Sequence, residues 1–128
     1  MAEPGKGLIK PDPNKESHIG IALEPGGQGI KVSRETFWVS KSKMEVAEWF
    51  CLRKEEEPEH AHGKDCFTVK FDQKDGSPFT SDTFTSDENG YRSSDGVKGI
   101  VTPDLNKTYK YTVTVGSKTL DPKGGVRG

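Results

Sequence analysis

The sequence predicts an all-β domain of sandwich type, and three observations carry that expectation. Short runs rich in β-branched and aromatic residues recur along the chain, separated by turn residues, which is the signature of a sandwich or barrel. Two of these runs alternate apolar and polar side chains with a period of two. Only 30% of the 128 residues are hydrophobic and the mean hydropathy is -0.79, so the core is thin and the surface broad, as in two packed sheets rather than a helical bundle. At this length one domain is expected, burying roughly two-thirds of the surface of its unfolded chain.

Residues 1–16 hold Pro4, Pro11 and Pro13 with little apolar spacing, and such a segment buries too little surface to offset its ordering entropy. A flexible N-terminal tail is expected there, followed by one β-sandwich domain over 17–128. Strands are expected at His18–Leu23, Ile30–Ser33, Thr36–Ser40, Met44–Arg53, Cys66–Phe71, Val97–Thr102 and Thr108–Val115, with almost no helix. The last of these is the clearest. Tyr109, Tyr111, Val113 and Val115 share one face, and Lys110, Thr112 and Thr114 share the other. Phe67, Val69 and Phe71 alternate with Cys66, Thr68 and Lys70 in the same way, giving one buried face and one wetter one. Pro25-Gly26-Gly27, Asp75-Gly76 and Asn89-Gly90 supply the turns, and Pro103 ends the Val97 run. Residues 72–96 are mostly Ser, Thr, Asp and Gly with Phe79, Phe84 and Tyr91 as isolated anchors, and read as a long packed surface excursion.

The two cysteines, Cys51 and Cys66, flank a charged loop that carries His60 and His62. If the strands on either side pair antiparallel with Phe50 opposite Phe67, then Val46 faces Phe71 and Cys51 faces Cys66. In that register the sulfurs bridge after a modest shift, whereas in a reducing cytosol they stay thiols. Cys51, His60, His62 and Cys66 are also the candidate ligands of a zinc or copper site, since thiolates and imidazoles suit both metals. The spacing is not that of a zinc finger, and the plainer reading is an acidic solvated loop beside two small buried cysteines. His18 opens a strand with no evident partner, and Trp38 and Trp49 read as core or inter-sheet packing.

The run Ile30 to Ser40 with Val46-Ala47-Glu48-Trp49 looks like the opening of a cupredoxin-like domain. Phe67 to Phe71, Gly76-Ser77-Pro78-Phe79, Thr83-Phe84 and the tail Tyr109 to Val115 with Leu120-Asp121-Pro122 continue the match. Together, over 29 to about 126, they resemble a group of small uncharacterised bacterial cupredoxin-like proteins. The resemblance implies a Greek-key β-sandwich, with an immunoglobulin-like sandwich as the neighbouring alternative, and a final strand at Thr119–Val126. Gly124-Gly125 departs from the apolar pair expected in that strand. A blue-copper centre does not carry over, because no histidine, cysteine or methionine follows Cys66 and such a centre needs converging imidazole and thiolate ligands.

Nineteen basic and 20 acidic residues give a net charge of -1, which offers no electrostatic footprint for nucleic acid or an anionic membrane. No nucleophile with its base, acid pair or phosphate loop is visible. The expectation is therefore a non-enzymatic binding or accessory module without a cofactor, engaging a protein or other ligand through end loops or a sheet edge, as a monomer or an edge-paired dimer. The metal-binding reading through the Cys/His hairpin is the alternative. No secretory leader is visible at Met1–Gly7, so the chain as written is expected in the cytoplasm, or in the periplasm or outside the cell if a leader has been removed.

Overall fold

A computed structural model describes residues 11–23, 29–52, 66–74, 76–87, 90–97 and 105–128. Among them the regular structure is entirely β, in ten strands: β1 (His18–Leu23), β2 (Ile30–Val32), β3 (Thr36–Ser40), β4 (Glu48–Cys51), β5 (Thr68–Phe71), β6 (Thr83–Thr85), β7 (Tyr91–Ser93), β8 (Thr108–Val115), β9 (Lys118–Leu120) and β10 (Lys123–Arg127). β1, β3 and β8 have the expected bounds. β4 starts later than expected, because residues 41–44 turn and Met44 takes a φ of 56° with its side chain in solvent. Of the run expected at Val97–Thr102, Val97 forms an isolated bridge with Phe79, and 98–102 lie outside the described residues.

The strands form two sheets, ordered β2-β1-β4-β7 and β3-β10-β8-β5-β6, with β9 paired to β8. Two of the pairings are parallel, β1 with β4 and β3 with β10. This corrects the expected hairpin. β4 pairs with β1 and β7, whereas β5 pairs with β6 and β8, so Phe50 does not face Phe67 and Val46 does not face Phe71. The physical reason is burial on both faces of β4: Trp49 enters the core, and Phe50 packs on the outer face between the rings of His18 and Tyr91, at 5.0 and 5.2 Å. A hairpin with the two-faced β5 would bury only one of them. The excursion at 72–96 also holds structure, because β6 and β7 are the edge strands of the two sheets. The strand expected at Thr119–Val126 is two strands, broken at Asp121-Pro122.

The core lies between the sheets. Ile19, Ile21 and Trp49 meet Phe37, Val39, Val69, Phe71, Tyr111, Val113 and Val126. Trp49 spans the layers. Its ring lies 5.8 Å from those of both Phe37 and Tyr111, and its indole N–H donates to the Tyr111 hydroxyl at 3.3 Å, so both buried aromatic dipoles find a partner. Burial holds the Tyr111 phenol neutral, pushing its pKa up against the smaller opposing effect of that hydrogen bond. The expected core residues Phe67, Val69, Phe71, Tyr109, Tyr111, Val113 and Val115 are all buried. On the outer face, Thr85, Thr68, Thr114 and Thr119 form one row across four strands, and each threonine pair adds roughly 0.2–1 kcal/mol.

Gly124 and Gly125 are explained by their neighbours. A Cβ on Gly124 would fall inside the Phe37 ring, and one on Gly125 would strike the Trp38 ring and come within 2.6 Å of the Lys107 carbonyl. Bare backbone at both positions lets one aromatic ring settle on each face of β10.

Candidate functional site

On one side of the sandwich the edge strands β6 and β7 run beside each other, each the last of its sheet. The seam between them opens into a cleft of about 430 Å³ lined by Ser81, Thr83, Phe84, Asp87, Tyr91, Arg92, Ser93, Ser94 and Asp95. Phe84, stacked on Trp49 at 5.6 Å, is its apolar floor. A second open depression, bounded by Ser77, Phe79 and Thr80, shares Ser81 and Thr83 with the first.

The register fixes what each strand shows to the seam. Phe71 N–H donates to the Asp82 carbonyl, and Ser86 N–H donates to the Phe67 carbonyl. Val69 and Phe84 are therefore a hydrogen-bonded pair, and the N–H and C=O of Thr83 and Thr85 point away from β5 into the open edge. On β7 the same reasoning turns the backbone of Tyr91 and Ser93 outward. Tyr91 is already satisfied there, since its N–H donates to Asp87 Oδ1 at 3.1 Å and its carbonyl accepts from Asp87 N–H at 2.9 Å.

Buried serines hold the seam in place. Ser94 Oγ accepts from Ala47 N–H at 2.9 Å and Ser86 Oγ from Phe67 N–H at 3.2 Å. Burial raises the Asp95 carboxyl pKa, but hydrogen bonds from the Ser81 and Thr80 hydroxyls and from Ser81 N–H outweigh it, and the net shift is downward. Burial, then the hydrogen bond to Glu48 and its charge, push the Tyr91 phenol up to about 12. Tyr91 donates to Glu48 Oε1 at 2.7 Å, and His18 Nε2 lies 3.0 Å from Glu48 Oε2. His18 thus has the partner that the sequence did not reveal, because the parallel β1–β4 register sets His18 beside Glu48.

The sequence singled out Cys51, His60, His62 and Cys66. Cys51 and Cys66 are joined in a disulfide with Cα atoms 6.1 Å apart, and it ties the end of β4 in one sheet to the residue leading into β5 in the other. It is an inter-sheet bond, not the hairpin bond expected. A bonded sulfur presents no thiolate to a metal. His60 and His62 lie outside the described residues, and among those described no cluster of three or more His, Cys, Asp or Glu is placed to hold a metal ion. The seam itself was missed. The Thr83-Phe84-Thr85 alternation was its one signal, and it is too short to separate an edge strand from a loop.

No family model, curated protein or solved structure matches this chain.

Proposed function

We propose that this chain is a non-enzymatic binding module, a cupredoxin-like Greek-key sandwich working in an oxidising compartment, that takes an extended peptide segment along β6. The observation that carries the reading is the row of outward N–H and C=O groups on Thr83 and Thr85, beside a hydroxyl-lined cleft with an aromatic floor. An extended peptide adds to such an edge through main-chain hydrogen bonds, and the cleft receives its alternate side chains. In support of the Greek-key topology, the chain passes between sheets at β2–β3, β3–β4, β4–β5, β6–β7 and β7–β8. The Cys51–Cys66 bond supports the compartment, since structural disulfides persist where thiols are not kept reduced. No helix among the described residues is long and apolar enough to cross a membrane.

Selection of phage-displayed random heptapeptides tests the reading. Enriched peptides are expected to shift the amide resonances of Thr83, Thr85 and Ser93, and to bind Thr85→Pro at least tenfold more weakly. That variant removes an outward N–H while leaving the β5 ladder intact. Equal binding to Thr85→Pro, or shifts confined elsewhere, would overturn it.

A further inference from the structure

The segment before β1 is folded back onto the sandwich, and His18 holds it. Asp12 N–H donates to His18 Nδ1 at 2.9 Å. That bond makes Nδ1 the acceptor and leaves the ring proton on Nε2, where it donates to Glu48 Oε2 at 3.0 Å. The ring is largely buried, at 11% exposure, against Phe50. From this anchor the segment turns, with Lys15 N–H on the Asp12 carbonyl and His18 N–H on the Lys15 carbonyl. It then reaches β3, the edge strand on the other side of the sandwich, where Trp38 N–H donates to the Glu16 carbonyl at 3.1 Å. The remaining holds are the Arg34 guanidinium on the Pro13 carbonyl and the Glu16–Arg127 ion pair, both exposed, and exposed pairs contribute little.

We propose that residues 11–16 are an acid-released strap, which covers the β3 edge while His18 is neutral and leaves it when His18 gains a second proton. Protonation puts a donor at Nδ1 where the Asp12 amide is already a donor, and the two cannot share the site. The other charged groups around His18 keep partners of their own. Glu48 accepts from Nε2 in both states, and Tyr91 donates to Glu48 from the far side. Arg34 Nε is occupied by the His18 carbonyl at 3.0 Å. The Asp12 carboxylate is turned to Asn14 N–H, and Lys15 meets His18 through its backbone carbonyl. Release withdraws Glu16 from Trp38, so acid uncovers the Trp38 N–H on the outer edge of the second sheet, while Ser40 keeps Glu45 on both its backbone groups.

The test follows the Asp12 and Trp38 amide resonances of the full chain from about pH 8 to about pH 5, the span in which imidazole changes charge. Both are expected to move with one shared midpoint and lose their protection from exchange, while the core amides of Val69 and Val113 stay fixed. In His18→Asn, whose Oδ1 replaces Nδ1 as an acceptor that does not titrate, neither moves. Asp12→Pro, which lacks the donor, is expected to show the acid position of Trp38 already at neutral pH. A Trp38 amide that stays put while Asp12 moves, the same transition in His18→Asn, or an unchanged Trp38 in Asp12→Pro would each overturn the strap.

Discussion

The two lateral sides of the sandwich are closed by different means. On the side of β2 and β3, Phe37 and Trp38 lie against bare backbone at Gly124 and Gly125, Arg127 stacks on Trp38 at 4.8 Å, and the segment before β1 covers the edge. On the side of β6 and β7 the sheets are tied by the Cys51–Cys66 bond and by the hydrogen bond from Ser81 N–H to the Asp95 carboxylate, and an open cleft remains between the edge strands. Within that cleft the edges differ again. The Asp87 turn takes both backbone groups of Tyr91, and Arg92, opposite the inward-facing Trp49 in the register, sets a charge at the rim. Both devices discourage unwanted pairing. β6 has only its shortness and its threonines. Close packing of a ring on a glycine leaves no room for a partner, whereas polar ties span a gap without filling it. A ligand therefore finds space on the second side.

The largest effect that would break this contrast is at Gly124. Gly124→Ala is expected to cost about 4 kcal/mol in denaturant unfolding, above the ordinary range for overpacking, because β10 is held between two partner strands and cannot retreat from Phe37. A loss below about 1 kcal/mol would show that the ring swings aside and that this side is not close-packed in the sense argued. Next is the covalent tie. Its cysteines are 15 positions apart, and opening a loop of that size by reduction and alkylation is expected to cost about 3 kcal/mol. Amide exchange should then rise in β4, β5 and β7 before β3 and β10, and the reverse order would assign the bond to the wrong side.

The smallest effect sharpens the picture at the seam. The folded state holds Tyr91 neutral up to about 12, against 10.0 in the unfolded chain. Its contribution is therefore whole below the unfolded value and is lost as pH rises from there toward the folded one. Tyr91→Phe should flatten part of the alkaline fall in stability, leaving the part due to buried Tyr111. An unaltered slope would mean that burial and the bond to Glu48 together do not hold the Tyr91 phenol neutral.

Strands with a buried face and a wet face were legible from local pattern. β8 and the core positions of β5 followed from a period of two, and the buried Trp49 and the positive φ of Gly76 and Gly90 from residue type. The final strand was legible only as a resemblance, and its glycines looked like a fault until Phe37 and Trp38 were seen on either face of them. The Cys51 to Cys66 proximity was anticipated for the wrong reason. Local alternation is silent about which strand lies beside which, and a hairpin and a cross-sheet contact both bring two sulfurs within reach.

The sequence by itself determined the all-β class, the faces of its strongest strands and the places where the chain must turn, because these depend on side-chain periodicity and backbone freedom within a few residues. Only the tertiary structure decided that β4 pairs in parallel with β1, that the disulfide joins two sheets, that His18 meets both Glu48 and the Asp12 amide, and that β6 and β7 leave a cleft between them. Each of these depends on partners distant in the chain, which burial and hydrogen-bond satisfaction choose from the whole molecule at once.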